Sequence, residues 1–299
     1  MGQRRVVVSL LSEQQEFQLM QAADARAAAA RAGLGIDVVF ADNNAIIQIH
    51  QLFKHVHAPE AERPAAIVVE TVTGEGLERV ARNAVNAGIG WVLINRSVGY
   101  LEALRGERGD LPIAVVSVDN REAGRIQGRQ LIALLPRGGS VLYVQGPADT
   151  AAASHRLRGV QETLEGRAIE LRVLNGDWTT ESGEKAVGGW LRLKTSEGFR
   201  PAVVAAQNDA MATGARRALQ AHRPDWKDLA YTGCDGLPEG GQKLVRAGEL
   251  TATIVTPTPA GPAVALVARA LAGERIPGEL TLPPRSYPPE GELASARKS

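Results

Sequence analysis

The sequence predicts an α/β protein built from two doubly wound units, each with a central parallel sheet covered by helices on both faces. Three observations carry this. Short β-branched runs alternate with longer, alanine-rich stretches along the 299 residues, which is the pattern of repeated strand–helix units. Runs such as Ala66-Ile67-Val68-Val69 are apolar at every position rather than at alternate ones, as strands buried on both faces are. The alternation resets near Asp119 and again near Thr256, and a chain of this length accommodates two domains of ordinary size.

In the first half, strands are expected over 6–10, 36–41, 65–71 and 91–95, with helices over 14–32, 44–57 and 76–87. Gly33 ends the first helix. After the reset, strands are expected over 113–118, 140–145, 171–174, 202–206, 229–233 and 251–255. Helices are expected from Arg121 to residue 135 and over 151–164, 181–193, 209–220 and 260–271, the first of them broken by Pro136-Arg137-Gly138-Gly139. The proline-rich tail is expected to loop over the surface. No low-complexity linker separates the halves, so the units are expected to exchange strands and share several crossovers. The boundaries drawn are 1–118 plus 257–282 for the first unit and 119–256 plus 283–299 for the second.

Composition narrows the function classes. Hydrophobic residues make up 44% and charged residues 22%, ordinary for a globular chain. A net charge of +1 gives no global electrostatic reason to bind nucleic acid or a membrane. Cys234 is the single cysteine, which excludes an intrachain disulfide and a multi-cysteine metal site; a small buried side chain is its expected role. No apolar run approaches the ~20 residues of a membrane span. The opening Met1-Gly2-Gln3-Arg4-Arg5 leads into a short valine-rich segment and not into a signal-peptide core. Two readings stay open: a cytoplasmic protein, or an exported one whose signal has been removed.

Catalytic patterns are missing. There is no Gly-x-Ser-x-Gly elbow and no phosphate loop ending in Gly-Lys-Ser/Thr. Gly33-Leu34-Gly35 lacks a third glycine and precedes the second strand, unlike a dinucleotide fingerprint. His50 and His57 lie two helical turns apart, which is wrong for zinc; with His55 they read as solvated surface histidines. Ser154 and His155 are helical neighbours and point apart. No catalytic set, cofactor or metal is expected.

The polar residues at strand ends are more informative, because ligands of open parallel sheets bind beyond the carboxyl ends of the strands. Asn95-Arg96, Gln207-Asn208-Asp209, Asp235-Gly236 and Asp177-Trp178 all occupy such positions. Amides, carboxylates and guanidinium groups offer paired donors or acceptors that match vicinal hydroxyls. An indole face packs on the apolar C–H face of a sugar ring. Helix capping is the competing role, and Asp209 in particular is expected to be a cap.

These segments resemble the type I periplasmic sugar-binding proteins, relatives of the ribose-binding protein and of the effector domains of lactose-repressor-type regulators. The stretch from Gln207-Asn208-Asp209-Ala210-Met211 to Thr213-Gly214-Ala215, with Ala218-Leu219, is similar to the family signature. Gly233-Cys234-Asp235-Gly236 is similar to its Gly-Phe-Asp-Gly. Asp119-Asn120 with Ala123-Gly124 matches the entry to the second domain. Arg156-x-x-Gly159 matches the arginine helix after Gly146. Ala252-Thr253-Ile254 and Leu271-Ala272-Gly273-Glu274 match the return to the first domain. The resemblance covers nearly the whole chain.

It implies two lobes joined by three crossovers, no catalytic residues, and a ligand held in the cleft between the lobes. Asn95 and Arg96 would bind ligand from the first lobe, with Gln14 and Phe17 of the first loop covering one ligand face. Arg156, Trp178, Asn208 and Asp235 would bind from the second lobe, and Thr256 would face the ligand from a hinge strand. Asp119 and Asn120 are expected to stabilise a crossover. The departures matter: the family's sugar binders carry Asp-Arg where this chain has Asn95-Arg96, two aromatics in the first loop where it has Phe17, and, in the ribose binder, glutamine at Thr256. Polyols, amino-sugars, nucleosides and furanoses therefore stay open.

The resulting expectation is a monomeric solute-binding protein, not an enzyme, that closes on a monosaccharide or related polyol. It would hand that ligand to the membrane permease of an ABC transporter from the periplasm or cell envelope, with no nucleic-acid partner. Two readings compete. One is a stand-alone ligand sensor or regulator effector domain; with its first strand at residue 6, the chain has no room for the ~60-residue helix-turn-helix of a repressor. The other is an enzyme on a similar fold, for which no base, nucleophile or metal set can be assembled. Hinges are expected near 117–120, near 255–258 and around Pro283-Pro284.

Overall fold

The computed structural model describes residues 4–73, 76–96, 98–226 and 228–296. In chain order the first elements are β1 (Arg5–Leu10), α1 (Glu16–Arg31), β2 (Gly35–Phe40), α2 (Ala45–Val56), β3 (Ala66–Val69), α3 (Glu78–Asn86), β4 (Gly90–Ile94), α4 (Tyr100–Glu107) and β5 (Ile113–Val118). There follow α5 (Asn120–Leu134), β6 (Gly139–Gln145), α6 (Ala151–Leu164), β7 (Ile169–Asn175), α7 (Thr180–Leu191), β8 (Val203–Ala206), α8 (Asp209–His222), β9 (Ala230–Thr232), α9 (Gly241–Arg246) and β10 (Thr253–Val255). The chain ends with α10 (Ala260–Leu271), β11 (Glu279–Leu282), β12 (Arg285–Tyr287) and α11 (Glu290–Ala296). No helix among the described residues is long and apolar enough to cross a membrane.

Two compact units form, Met1–Val118 with Thr258–Leu282, and Asp119–Pro257 with Pro283–Ser299. The chain therefore passes from one unit to the other three times, and Pro257 lies with the second. The first unit is a six-stranded sheet in the order β11-β5-β4-β3-β1-β2, parallel throughout. Its central strands β3 and β4 are apolar and buried throughout because each face meets its own helical layer. Val6, Val8, Val68, Val92 and Ile94 pack with the alanines of α1 and with α10. Val7, Ile67, Val69, Trp91 and Leu93 pack against α2, α3 and α4. The segment 258–282 completes this unit: α10 covers a face that α1 alone leaves open, and β11 extends the edge at β5.

The second unit has a four-stranded parallel sheet, β7-β6-β8-β9, with Leu142, Val144, Val204 and Ala206 facing α7 and α8. Val141, Tyr143, Val203 and Ala205 face the other layer, which includes α5 and α6. Both helix pairs are bound through glycine. A Cβ on Gly124 of α5 would overlap the Arg156 carbonyl oxygen of α6, and one on Gly214 of α8 would overlap the Thr180 carbonyl oxygen of α7. Both glycines stand in the segments that carry the family resemblance, and only a hydrogen allows backbones to approach this closely.

The structure corrects the tail. Instead of looping over the surface, it supplies β11 to the first sheet, pairs β12 antiparallel with β10, and docks α11 by an ion pair of Glu290 with Arg129 at 3.0 Å. Prolines 277, 283, 284 and 288 punctuate these short strands, and edge strands tolerate that. The short helices α4 and α9 also had no separate signal. Strand β3 ends at Val69, two residues before its expected end.

Gly124→Ala should lower the unfolding free energy by about 1–3 kcal/mol, the usual cost of forcing extra volume into a packed contact. Gly106→Ala, at an exposed position of α4 with nothing within 4 Å of the added carbon, should instead raise it by about 0.5–1 kcal/mol. Urea denaturation of the two variants checks both signs, and equal effects would contradict the packing account.

Candidate functional site

In parallel sheets all carboxyl ends of the strands share one edge, and backbone strain gathers there in both units. Among the described residues, the non-glycine residues with φ between 50° and 98° are Asp42, Asn43, Asn95, Trp178 and Asp235. Asp42 and Asn43 follow β2, Asn95 follows β4, Trp178 follows β7, and Asp235 follows β9. A left-handed backbone at a residue with a side chain costs roughly 1–3 kcal/mol and persists where the surroundings over-determine it, commonly at functional sites. Three of these five residues are the strand-end candidates Asn95, Trp178 and Asp235.

In the second unit the structure brings Arg156, Trp178, Asn208, Asp235 and Thr256 together. The buried Arg156 guanidinium, carried on α6, donates through Nε to Asn120 Oδ1 at 2.9 Å and through a terminal nitrogen to the Gln207 carbonyl. Its terminal nitrogen also lies 3.8 Å from the Asp235 carboxylate, and its carbon sits 5.7 Å from the centre of the Trp178 ring. Burial works against the charge, but neighbouring acidic groups, the Asp235 and Asp209 carboxylates among them, more than offset it, so the guanidinium pKa stands above its ordinary value. The Trp178 ring packs flush on Gly146, where any Cβ would overlap it. Asn208 donates to the Trp178 carbonyl at 2.8 Å and accepts from Met211 N at 2.8 Å. Thr256 is buried, and its N–H donates to the Asp235 carbonyl at 3.1 Å.

Three assignments change or sharpen here. Asn208, in extended conformation, is the N-cap of α8, not Asp209. Asp209 turns inward instead, accepting from Gly236 N at 2.8 Å and Thr253 Oγ1 at 2.6 Å. It therefore pins the loop after β9 to β10. Asp119 caps α5 through Glu122 N at 2.8 Å, while Asn120 reaches Arg156. Burial pushes the Cys234 thiol up to about 12 despite the nearby Arg156, so it stays protonated and is no nucleophile.

The first unit holds a second polar group. Asn95 donates to Glu70 at 2.9 Å, and Arg96 reaches the Val72 carbonyl at 3.4 Å. Gln14 is exposed, and its N–H donates to Ser12 at 3.2 Å. Phe17 is half-buried in the first turn of α1. Neither hydrogen-bonds to the Glu70–Asn95 pair among the described residues. Sequence reasoning missed Glu70, and with it Gln18 and Gln21, for a definite reason: with the strand extended to Thr71, Glu70 fell inside it instead of at its end. The strand-end rule that found Asn95 would have found Glu70 with the strand ended at Val69. Gln207 was seen as a strand-end residue, but not its bracing role: it accepts from Gly146 N at 3.0 Å and donates to the Ala153 carbonyl at 2.9 Å.

Among the described residues no group of three or more His, Cys, Asp or Glu side chains could hold a metal ion. Of the three neighbouring histidines, His50 and His57 are exposed, whereas His55 is half-buried and has its pKa lowered, chiefly by desolvation. That corrects the expectation of three solvated side chains.

Comparisons with known proteins agree with this geometry. A family model described as a periplasmic binding protein domain matches residues 6–275. The ribose import binding protein of Salmonella typhimurium is 35% identical over 147 residues, which are 49% of this chain and 47% of that protein. The chain thus spans about half the length of that curated relative. A solute binding protein from Actinobacillus succinogenes with bound D-allose superposes with a TM-score of 0.83 at 18% identity, covering 98% of this chain and 100% of that one. The Caulobacter myo-inositol binding protein bound to myo-inositol gives 0.80 at 22% identity, covering 98% and 96%. At these identities the structural likeness is one of fold. The match over residues 6–275 places the chain in a family: it belongs to the periplasmic binding proteins.

Proposed function

We propose that this chain is a solute-binding protein, not an enzyme, that takes a monosaccharide or related polyol at the carboxyl edges of its sheets and closes on it. The observation that carries the reading is the group around Arg156. A buried, fixed guanidinium beside a carboxylate and an indole face offers paired donors, an acceptor and an apolar plane, which together match a polyhydroxylated ring. The family match and the strained strand ends support it. By the same reading Asn95 and Arg96 contribute from the first unit, Asn208 and Thr256 from the second, and Gln14 and Phe17 border the ligand. The partner would be the membrane permease of an ABC transporter, and the protein would act as a monomer in the periplasm.

Arg156→Lys and Asp235→Ala should each weaken binding about tenfold or more, because charge-assisted hydrogen bonds are worth roughly 1.5–3 kcal/mol. Mass spectrometry of co-purified ligand identifies the sugar, and calorimetry with it measures the loss. Unchanged affinity in both variants would refute the site.

A ligand touching both units binds the closed arrangement better, and only such differential affinity shifts the equilibrium. Rotation should concentrate where the chain passes between units, beside the φ-restricted Pro257 and Pro259. Small-angle scattering should show a smaller radius of gyration at saturating ligand. An unchanged radius in a sample that begins open and binds would refute closure.

A further inference from the structure

We propose that Glu70 is a specificity-determining positioning residue, which takes one N–H of the Asn95 amide and so turns its carbonyl oxygen away from the carboxylate, where it can accept from a ligand. This rests on the reading of Asn95 as a ligand residue.

Glu70 directly follows β3, whose sheet neighbours are β1 and β4. Its carboxylate is buried and accepts from three amides. Gln18 and Gln21, on α1, donate to Oε2 at 2.9 and 2.7 Å. Asn95, just past β4, donates to Oε1 at 2.9 Å. The Glu70 backbone is held as well: its N–H donates to the Ser9 carbonyl at 2.9 Å and its carbonyl accepts from Gln48 at 2.7 Å. An amide can present either end to a neighbour, whereas a carboxylate only accepts. One acceptor-only group among three amides therefore sets the orientation of all three.

The consequences differ by residue. The Gln18 oxygen accepts from Leu11 N at 3.1 Å. The Gln21 oxygen is buried with no partner among the described residues, so that amide is held against its own preference. The Asn95 oxygen takes no hydrogen bond among the described residues, and its half-buried side chain stands on the left-handed backbone at the sheet edge. One Asn95 N–H is thus committed to Glu70 and the oxygen is left to accept, with the negative charge carried by Glu70 behind it. Such a position, an accepting oxygen with a carboxylate behind it, favours a ligand hydroxyl or ammonium donor.

Three variants test this: Glu70→Gln, Asn95→Asp, and the two combined, which exchanges carboxylate and amide. Without ligand, hydrogen exchange of the Asn95 side-chain amide should be slowed in the wild type and accelerated in Glu70→Gln, while the Gln51 amide, bound to the Phe40 carbonyl at 2.8 Å, stays as it was. Urea midpoints at neutral pH should fall for Asn95→Asp, which sets two carboxylates face to face, and recover in the combined variant. For binding, the probes are D-ribose, D-allose, D-galactose and myo-inositol. Glu70→Gln should weaken the tightest wild-type binder about tenfold, and the combined variant should bind it at least as well as the wild type. Unchanged Asn95 exchange in Glu70→Gln, or midpoints that add without recovery, overturns the proposal. So does a combined variant as weak as Glu70→Gln. If none of the probes binds the wild type, the sugar-binding reading fails, and the ligand-free exchange and midpoints still decide the role of Glu70.

Discussion

The second unit is organised around one buried cation. A guanidinium withdrawn from water is costly unless its donors are paired, and leaving it unpaired costs several kcal/mol. That requirement ties together segments far apart in sequence: Asn120 at the start of α5, Gln207 after β8 and Asp235 after β9 all converge on Arg156. The close approach of α5 and α6 serves the same end. With Gly124 lying on the Arg156 backbone, the helix that carries the guanidinium is held within reach of its partners.

The first unit meets the complementary problem with a buried anion. Glu70 is surrounded by amides that donate, just as Arg156 is surrounded by oxygens that accept. In each unit the charged group is fixed from behind by uncharged side chains, so that candidate ligand residues such as Asn95 and Asp235 need not carry the whole hydrogen-bonding burden. Fixing orientation before a ligand arrives reduces the entropy lost on binding.

Strain has the same distribution as these groups. Among the described residues, those with side chains and positive φ all follow strand carboxyl ends, where sheet hydrogen bonding stops and the chain must turn sharply into a loop. Trp178 tolerates this because its carbonyl is held by Asn208 and its ring by Gly146. The scaffold supports the strain through the doubly covered sheets, whose central strands β3, β4 and β8 are buried at every position.

Much of the architecture was legible in local pattern. Runs without polar alternation, such as Ala66–Val69, announced strands buried on both faces, and the resets near Asp119 and Thr256 announced two units. Strand-end polar residues marked Asn95, Arg96, Trp178, Asn208 and Asp235, because position at a strand terminus is a local property. The tail was illegible, since β11 and β12 become strands only by pairing with β5 and β10, and pairing is not encoded in a short segment between prolines. Capping was half legible: the stretch Asn208-Asp209 had to supply a cap, but only φ and ψ decided that Asn208 does so while Asp209 turns inward to Thr253. The sequence by itself determined that an asparagine stands at position 95, able to donate or accept. Only the tertiary structure decided that one of its N–H groups donates to a carboxylate, because Glu70 stands just past the neighbouring strand β3, twenty-five residues away.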